Sequence, residues 1–265
     1  MIVRTRLTFF FHLQTKELLD MEIPFTVQEE EWLANQMCIY QKAFSEVPVG
    51  YDWIKEFIMF SYDVPLSRNF AHKGWTTLME RYKGILKCHQ GFNELPTKDQ
   101  EAIWKGGSRK AAALCSVKTE NLNTGQEQLQ FIFGDQDSET WKQNFEELVT
   151  KSQNFQLKKV SMADCNRVAG VMDADELISY MNTVVSLNEL TQEPEMFKLL
   201  TLVALFSGDE LSPEASKYVT EIRNQYMAII KKRIKGSQIL EKICHGLAEV
   251  DQLSGYLKKL ELTEQ

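Results

Sequence analysis

The chain has no Cys-x-x-Cys pair, few histidines, no long apolar run and no excess of positive charge. Each absence removes a class of function. Its five cysteines, Cys38, Cys88, Cys115, Cys165 and Cys244, are odd in number and widely spaced, so they offer no zinc site or redox motif and read as reduced intracellular thiols. The four histidines, His12, His72, His89 and His245, do not stand three or four residues from another ligand in a recognised metal motif, and no metal or other cofactor is expected. With 30 basic against 37 acidic residues the net charge is −7, which repels a phosphate backbone and argues against direct nucleic-acid binding. The apolar run Leu7–Leu13 is too short for a bilayer, which needs about 20 residues. It follows Arg4 and Arg6 as a signal peptide would, but Gln14–Glu22 is charged and has no small-residue cleavage site. No membrane association is expected, and residues 1–24 read as an N-terminal extension.

Catalytic motifs are missing as well. Lys105-Gly106-Gly107-Ser108 lacks both the spacing and the preceding strand of a phosphate loop. No activated nucleophile or tuned acid–base pair stands out, so the chain is not expected to be an enzyme. Acidic clusters such as Glu29-Glu30-Glu31 and Asp173–Glu176 read as solvated helix faces. At 265 residues and 43% hydrophobic content the chain exceeds the usual domain size of about 100–150 residues. Nothing in it demands a split: there is no repeat of fixed period and no low-complexity linker, so 25–265 is read as one domain.

What is present is helical periodicity with clear punctuation. Thr26-Val27-Gln28-Glu29 is a capping box, and a helix is expected from about Val27 to Ser45, before Pro48. A long helix is expected from about Ser67 to His89, with Trp75, Leu78, Met79, Tyr82, Ile85 and Leu86 on one stripe. Gln90-Gly91-Phe92-Asn93 breaks the pattern, and Thr97 with Gln100 suits a second capping box. The helix that follows carries Gly106 and Gly107, which implies a bend or close packing, and then the small run Ala111-Ala112-Ala113. Asn123-Thr124-Gly125 is a turn signal, and Leu129-Gln130-Phe131-Ile132-Phe133 reads as a short strand ended by Gly134. Four further helices are expected over about Ser138–Ser152, Asp164–Asn188, Glu195–Phe206 and Pro213–Lys232, the last with Ser212 as N-cap and Pro213 in its first turn. A final helix from Ser237 repeats Ile239, Leu240, Ile243, Leu247, Val250, Leu253, Leu257 and Leu260 at nearly heptad spacing, a stripe wide enough for a core and a partner. Periodicity alone reaches a large helical domain and stops there.

The segment Gly91-Phe92-Asn93-Glu94-Leu95-Pro96-Thr97-Lys98-Asp99-Gln100-Glu101-Ala102-Ile103-Trp104-Lys105 resembles the signature of nuclear receptor ligand-binding domains, in which Phe and Leu precede an Asp-Gln and a Lys closes the next turn. Phe197–Asp209 resembles the buried eighth helix of that family, and Gly236–Leu253 the start of its dimerisation helix. The resemblance covers about Phe25 to Leu260 and is closest to the branch of the vitamin D and ecdysone receptors. It implies an all-α fold, a three-layer antiparallel helical sandwich with one small β-hairpin. It places a pocket near Trp75, Leu78, Tyr82, Ala112, Cys115, Ser116 and Thr119, with Phe131 and Phe133 on the strand side, and a sterol- or lipid-like ligand would suit it. Large aromatics can equally fill such a space. The two lysines that frame the family's coregulator groove match Lys87 and Lys105, where a cation complements the C-terminal end of a bound helix. Both also read as simply exposed lysines.

Three departures from the family shape the functional expectation. Where relatives pair a Glu with an Arg, this chain has Lys110 and Glu210, which implies the same salt bridge with its charges exchanged. Cys115 stands where an Arg often anchors a polar ligand group, which puts acidic or hydroxyl-anchored ligands in doubt. After Leu253 the sequence does not fit the family's activation helix, so ligand-dependent coactivator recruitment by this subunit is expected to be weak or absent. The resemblance thus implies a nuclear protein that regulates transcription as a heterodimer subunit. Its partner would be a retinoid X receptor or ultraspiracle-type chain, met through Ile243, Leu247, Val250 and Leu257, with a coregulator peptide as a further partner. The family's zinc-finger DNA-binding domain is not in this sequence. The alternative is a pocketless helical adaptor for protein–protein interaction.

Overall fold

A computed structural model describes residues 24–133, 156–234 and 237–262. Every regular element among them is helical, so the chain is all-α over the described residues. In chain order the helices are α1 (Val27–Glu46), α2 (Tyr51–Phe60), α3 (Phe70–Lys87), α4 (Gln90–Glu94), α5 (Thr97–Glu120), α6 (Gly125–Phe133), α7 (Met162–Ala169), α8 (Ala174–Gln192), α9 (Pro194–Leu205), α10 (Pro213–Arg233) and α11 (Ser237–Leu262). The helix expected over Ser138–Ser152 lies outside the described residues.

Several starts follow the capping chemistry of the sequence. The Glu29 N–H donates to Thr26 Oγ1 at 3.2 Å and the Thr26 N–H donates to the Glu29 carboxylate at 2.8 Å, closing the box that opens α1. Ser212 Oγ accepts from the Ala215 N–H at 3.2 Å at the head of α10, with Pro213 in the first turn. At α5 the expected box is not made. Pro96 occupies the N-cap position, and the Gln100 amide turns back to donate to the Leu95 carbonyl at 2.7 Å.

Two elements correct the sequence reading. The strand expected over Leu129–Phe133 is the second half of α6, and no strand occurs among the described residues. Thr124 and Glu127 decide it: the Glu127 N–H donates to Thr124 Oγ1 and the Thr124 N–H to the Glu127 carboxylate, each at 3.1 Å. That reciprocal cap starts a helix where the turn residues alone suggested a hairpin. The single helix expected over Asp164–Asn188 is two, α7 and α8. Gly170 ends α7 in the left-handed region at φ 67°, which a glycine adopts without steric cost. Asp173 then restarts the chain with its own capping box to Glu176.

The core is organised around α5 and α9. From Leu199 to Leu205 every residue of helix α9 is buried, and Phe197 with them, as in a helix segment enclosed by others. Helix α5 packs against α3, α8, α9 and α11. Its glycines serve close packing and not a bend: a Cβ on Gly107 would stand 1.7 Å from the Leu205 carbonyl oxygen. Around this pair lies the larger apolar core. A second, smaller cluster joins Val49, Trp53, Phe57, Ile58, Leu66 and Phe70 to Leu129, Leu157 and Val160. No helix among the described residues is long and apolar enough to cross a membrane.

Candidate functional site

A partly open cavity of about 150 Å³ lies where the two apolar clusters meet. Helix α3 lines it with Trp75 and Leu78, and α5 with Ala112, Cys115, Ser116 and Thr119. Phe131 comes from α6. Tyr82 is not on the wall but directly behind it: fully buried, its hydroxyl contacts Cys115 Sγ at 2.8 Å and donates to the Ala111 carbonyl at 3.3 Å. The side chain of Phe133 lies outside the described residues.

Much of the wall comes from residues that the sequence reading did not single out. Trp53 of α2 stacks on Phe70 with ring centroids 4.9 Å apart, and its indole N–H donates to the Phe70 carbonyl at 3.1 Å. Gln128 closes another side. Its amide donates to the carbonyls of Thr119 and Val160 at 3.0 and 2.8 Å and accepts from the Val160 N–H at 2.9 Å, so this buried group is fully used. These three hydrogen bonds tie α5, α6 and the segment before α7 into one wall.

Arg81 is the residue that the sequence reading missed most consequentially. It lines the cavity from α3 and has no exposed surface. Its Nε donates to the Val47 carbonyl at 2.9 Å, its Nη1 donates to the Ile132 carbonyl, and the guanidinium lies 4.6 Å from the centre of the Phe44 ring. Its Nη2 has no hydrogen-bond partner, and no carboxylate among the described residues pairs with it. Burial lowers its pKa. The signal was legible: Arg81 sits three residues after Leu78 and four before Ile85, inside the apolar stripe of α3, where a solvated arginine has no place.

The remaining titratable groups of the wall are poor reagents. Burial pushes the thiols of Cys115 and Cys165 up to about 12, so both stay protonated and neither is an activated nucleophile. Burial likewise raises the Tyr180 hydroxyl and the Glu120 carboxyl, and Glu120 accepts from the Met162 N–H at 3.0 Å. Among the described residues no group of three or more His, Cys, Asp or Glu side chains could hold a metal ion.

The other expected sites fare differently. Lys87 and Lys105 are both exposed, on α3 and α5, and Lys105 pairs with Glu101 at 2.6 Å. The Lys110–Glu210 bridge is not made. Lys110 pairs at 2.9 Å with Asp251 of α11, because α11 packs along α5, while Glu210 is exposed in the turn after α9. The stripe assigned to dimerisation is largely absorbed by the chain's own core: Ile243 and Val250 are each 1% exposed and Leu247 is half-buried against the same cluster. Helix α11 spends that face on α5 and α8, so these side chains are not open to a partner here. The side chain of Leu257 lies outside the described residues. In the signature segment, Asp99 is buried and structural: it accepts from the Ser212 N–H at 3.0 Å and the Ser212 hydroxyl at 2.7 Å, fastening α5 to the head of α10.

Neither protein-family models nor curated proteins give a match to this chain.

Proposed function

We propose that the chain is a ligand-binding module of the nuclear receptor type, a regulatory domain that holds an apolar small molecule and acts in the nucleus through a partner subunit. The observation that carries this reading is the cavity walled by α3, α5 and α6, lined mainly by aromatic and aliphatic side chains, with few polar groups and no activated nucleophile. A pocketless adaptor has no use for such a space. The helix α9, buried throughout from Leu199 to Leu205, and the structural roles of Asp99 and Gln100 in the signature segment support the same family, as does the central position of α5. The three-layer antiparallel sandwich belongs to this reading. The buried stripe of α11 moves any partner surface to other side chains of that helix or to α8, where Ile178 and Val185 are exposed seven residues apart on one face.

Native mass spectrometry of the purified chain, alone and with a retinoid X receptor ligand-binding domain, tests both halves. A one-to-one complex, together with extra mass on this chain that denaturation releases, is the expected result. A folded chain that forms no complex and takes up no apolar compound from a hydrophobic panel overturns the proposal.

A further inference from the structure

A cationic side chain placed in an apolar wall without an anion is an unfinished interaction, and Arg81 is in that state. Two of its three guanidinium nitrogens are spent on the neutral carbonyls of Val47 and Ile132. Those carbonyls solvate two edges of the group but do not neutralise its charge. Removal of a charge from water is costly unless an opposite charge or a full set of hydrogen bonds replaces the water. Here Nη2 has neither, and Arg81 makes no ion pair among the described residues. A second buried polar group of the same cavity, the Tyr180 hydroxyl, also has no hydrogen-bond partner; the Ser116 hydroxyl of that wall gives its own proton to the Ala113 carbonyl at 2.7 Å.

We propose that the cavity takes an amphipathic monocarboxylate, its head group on Arg81 Nη2 and its apolar tail between Trp53, Trp75 and Phe131. This rests on the ligand-module reading and deepens it. A carboxylate suits the geometry because one guanidinium nitrogen is free, enough for a charge-assisted bond to a small planar anion and too little for the several donors that a phosphate demands. The Tyr180 hydroxyl is a neutral donor available to the second polar atom of such a ligand. The charge already in the wall of opposite sign to Arg81, Glu120, is capped by the Met162 N–H and lies about one and a half turns further along α5 than Cys115. A cavity of about 150 Å³ holds a group of benzene size. A tail of six to eight carbons therefore fills it with its end toward the open side. The anchor that the family resemblance sought at Cys115 is supplied from α3 instead.

The test is a charge series on one tail. Octanoate, 1-octanol and octylammonium are titrated into the full chain by calorimetry at neutral pH, and the same titrations are repeated with Arg81→Met and Arg81→Lys. Octanoate is expected to bind at least about tenfold more tightly than octanol, with octylammonium not bound. Arg81→Met should bring octanoate down to the level of octanol, and Arg81→Lys should retain part of the preference. If octanol binds the wild-type chain as tightly as octanoate, the carboxylate anchor is wrong while the apolar cavity stands. If no member of the series binds, the cavity reading falls with it. The wild-type series decides the matter even if Arg81→Met does not fold.

Discussion

His89 stands at the N-cap of α4 with its ring edge-on to Phe206, centroids 4.8 Å apart, and its Nε2 buried without a partner. Desolvation disfavours the imidazolium and brings its pKa down from 6.5 to about 4. The unfolded chain therefore binds a proton that the folded chain refuses between those two values. Stability is undiminished by this group above about pH 6.5 and falls as the pH drops toward 4. A shift of this size corresponds to roughly 3 kcal/mol. Urea unfolding at pH 7, 5.5 and 4 measures it, and His89→Leu should leave stability at pH 7 nearly unchanged while flattening the fall. Equal slopes for both proteins would refute the assignment. Arg81 is only half legible in the sequence. Its position inside the stripe of α3 was readable from spacing alone, but that its partners would be two carbonyls and no carboxylate depends on where α6 and the segment after α1 come to rest.

At the scale of elements, local chemistry was most legible where a side chain caps its own helix and least where two helices meet. The Thr26–Glu29 box and the Ser212–Pro213 start are local, and the structure follows them. The run Leu129–Phe133 misled because a short apolar run of aromatic and branched residues carries no period of its own. The Thr124–Glu127 spacing just before it held the answer. The crossing of α5 and α9 was half legible: the glycine pair announced a special position, and the carbonyl of Leu205 explains it. Gly107→Ala should destabilise the fold by about 3 kcal/mol or more, the upper end of overpacking costs, because the clash is with backbone. Gly255 on α11 has open space around it, and Gly255→Ala should stabilise by up to about 1 kcal/mol through helix propensity. Opposite shifts of the urea midpoint are the expected outcome. A neutral Gly107→Ala would mean that α5 and α9 do not cross as closely as described.

For the whole molecule, the all-α class followed from periodicity, whereas the cavity did not. The volume left between two apolar clusters is the small difference between how the helices pack and how far their side chains reach, and no single window of sequence contains it. The position of the cavity between those clusters has a mechanical consequence. A ligand there touches Trp53 and Phe57 of the smaller cluster and Trp75 and Ala112 of the larger, so binding stabilises both together. At a hundredfold excess over Kd, mass action adds about 2.7 kcal/mol, which for a chain of this size raises Tm by roughly 5–10 °C. Hydrogen exchange should slow in α2 and in α9 alike when octanoate is bound. Ala112→Leu extends a buried side chain into the cavity from α5, and it should abolish both effects while keeping the free protein folded. Retention of the full Tm shift in Ala112→Leu would place the ligand elsewhere. Slowing confined to α2 would mean that the smaller cluster responds alone and that the cavity does not couple the two cores.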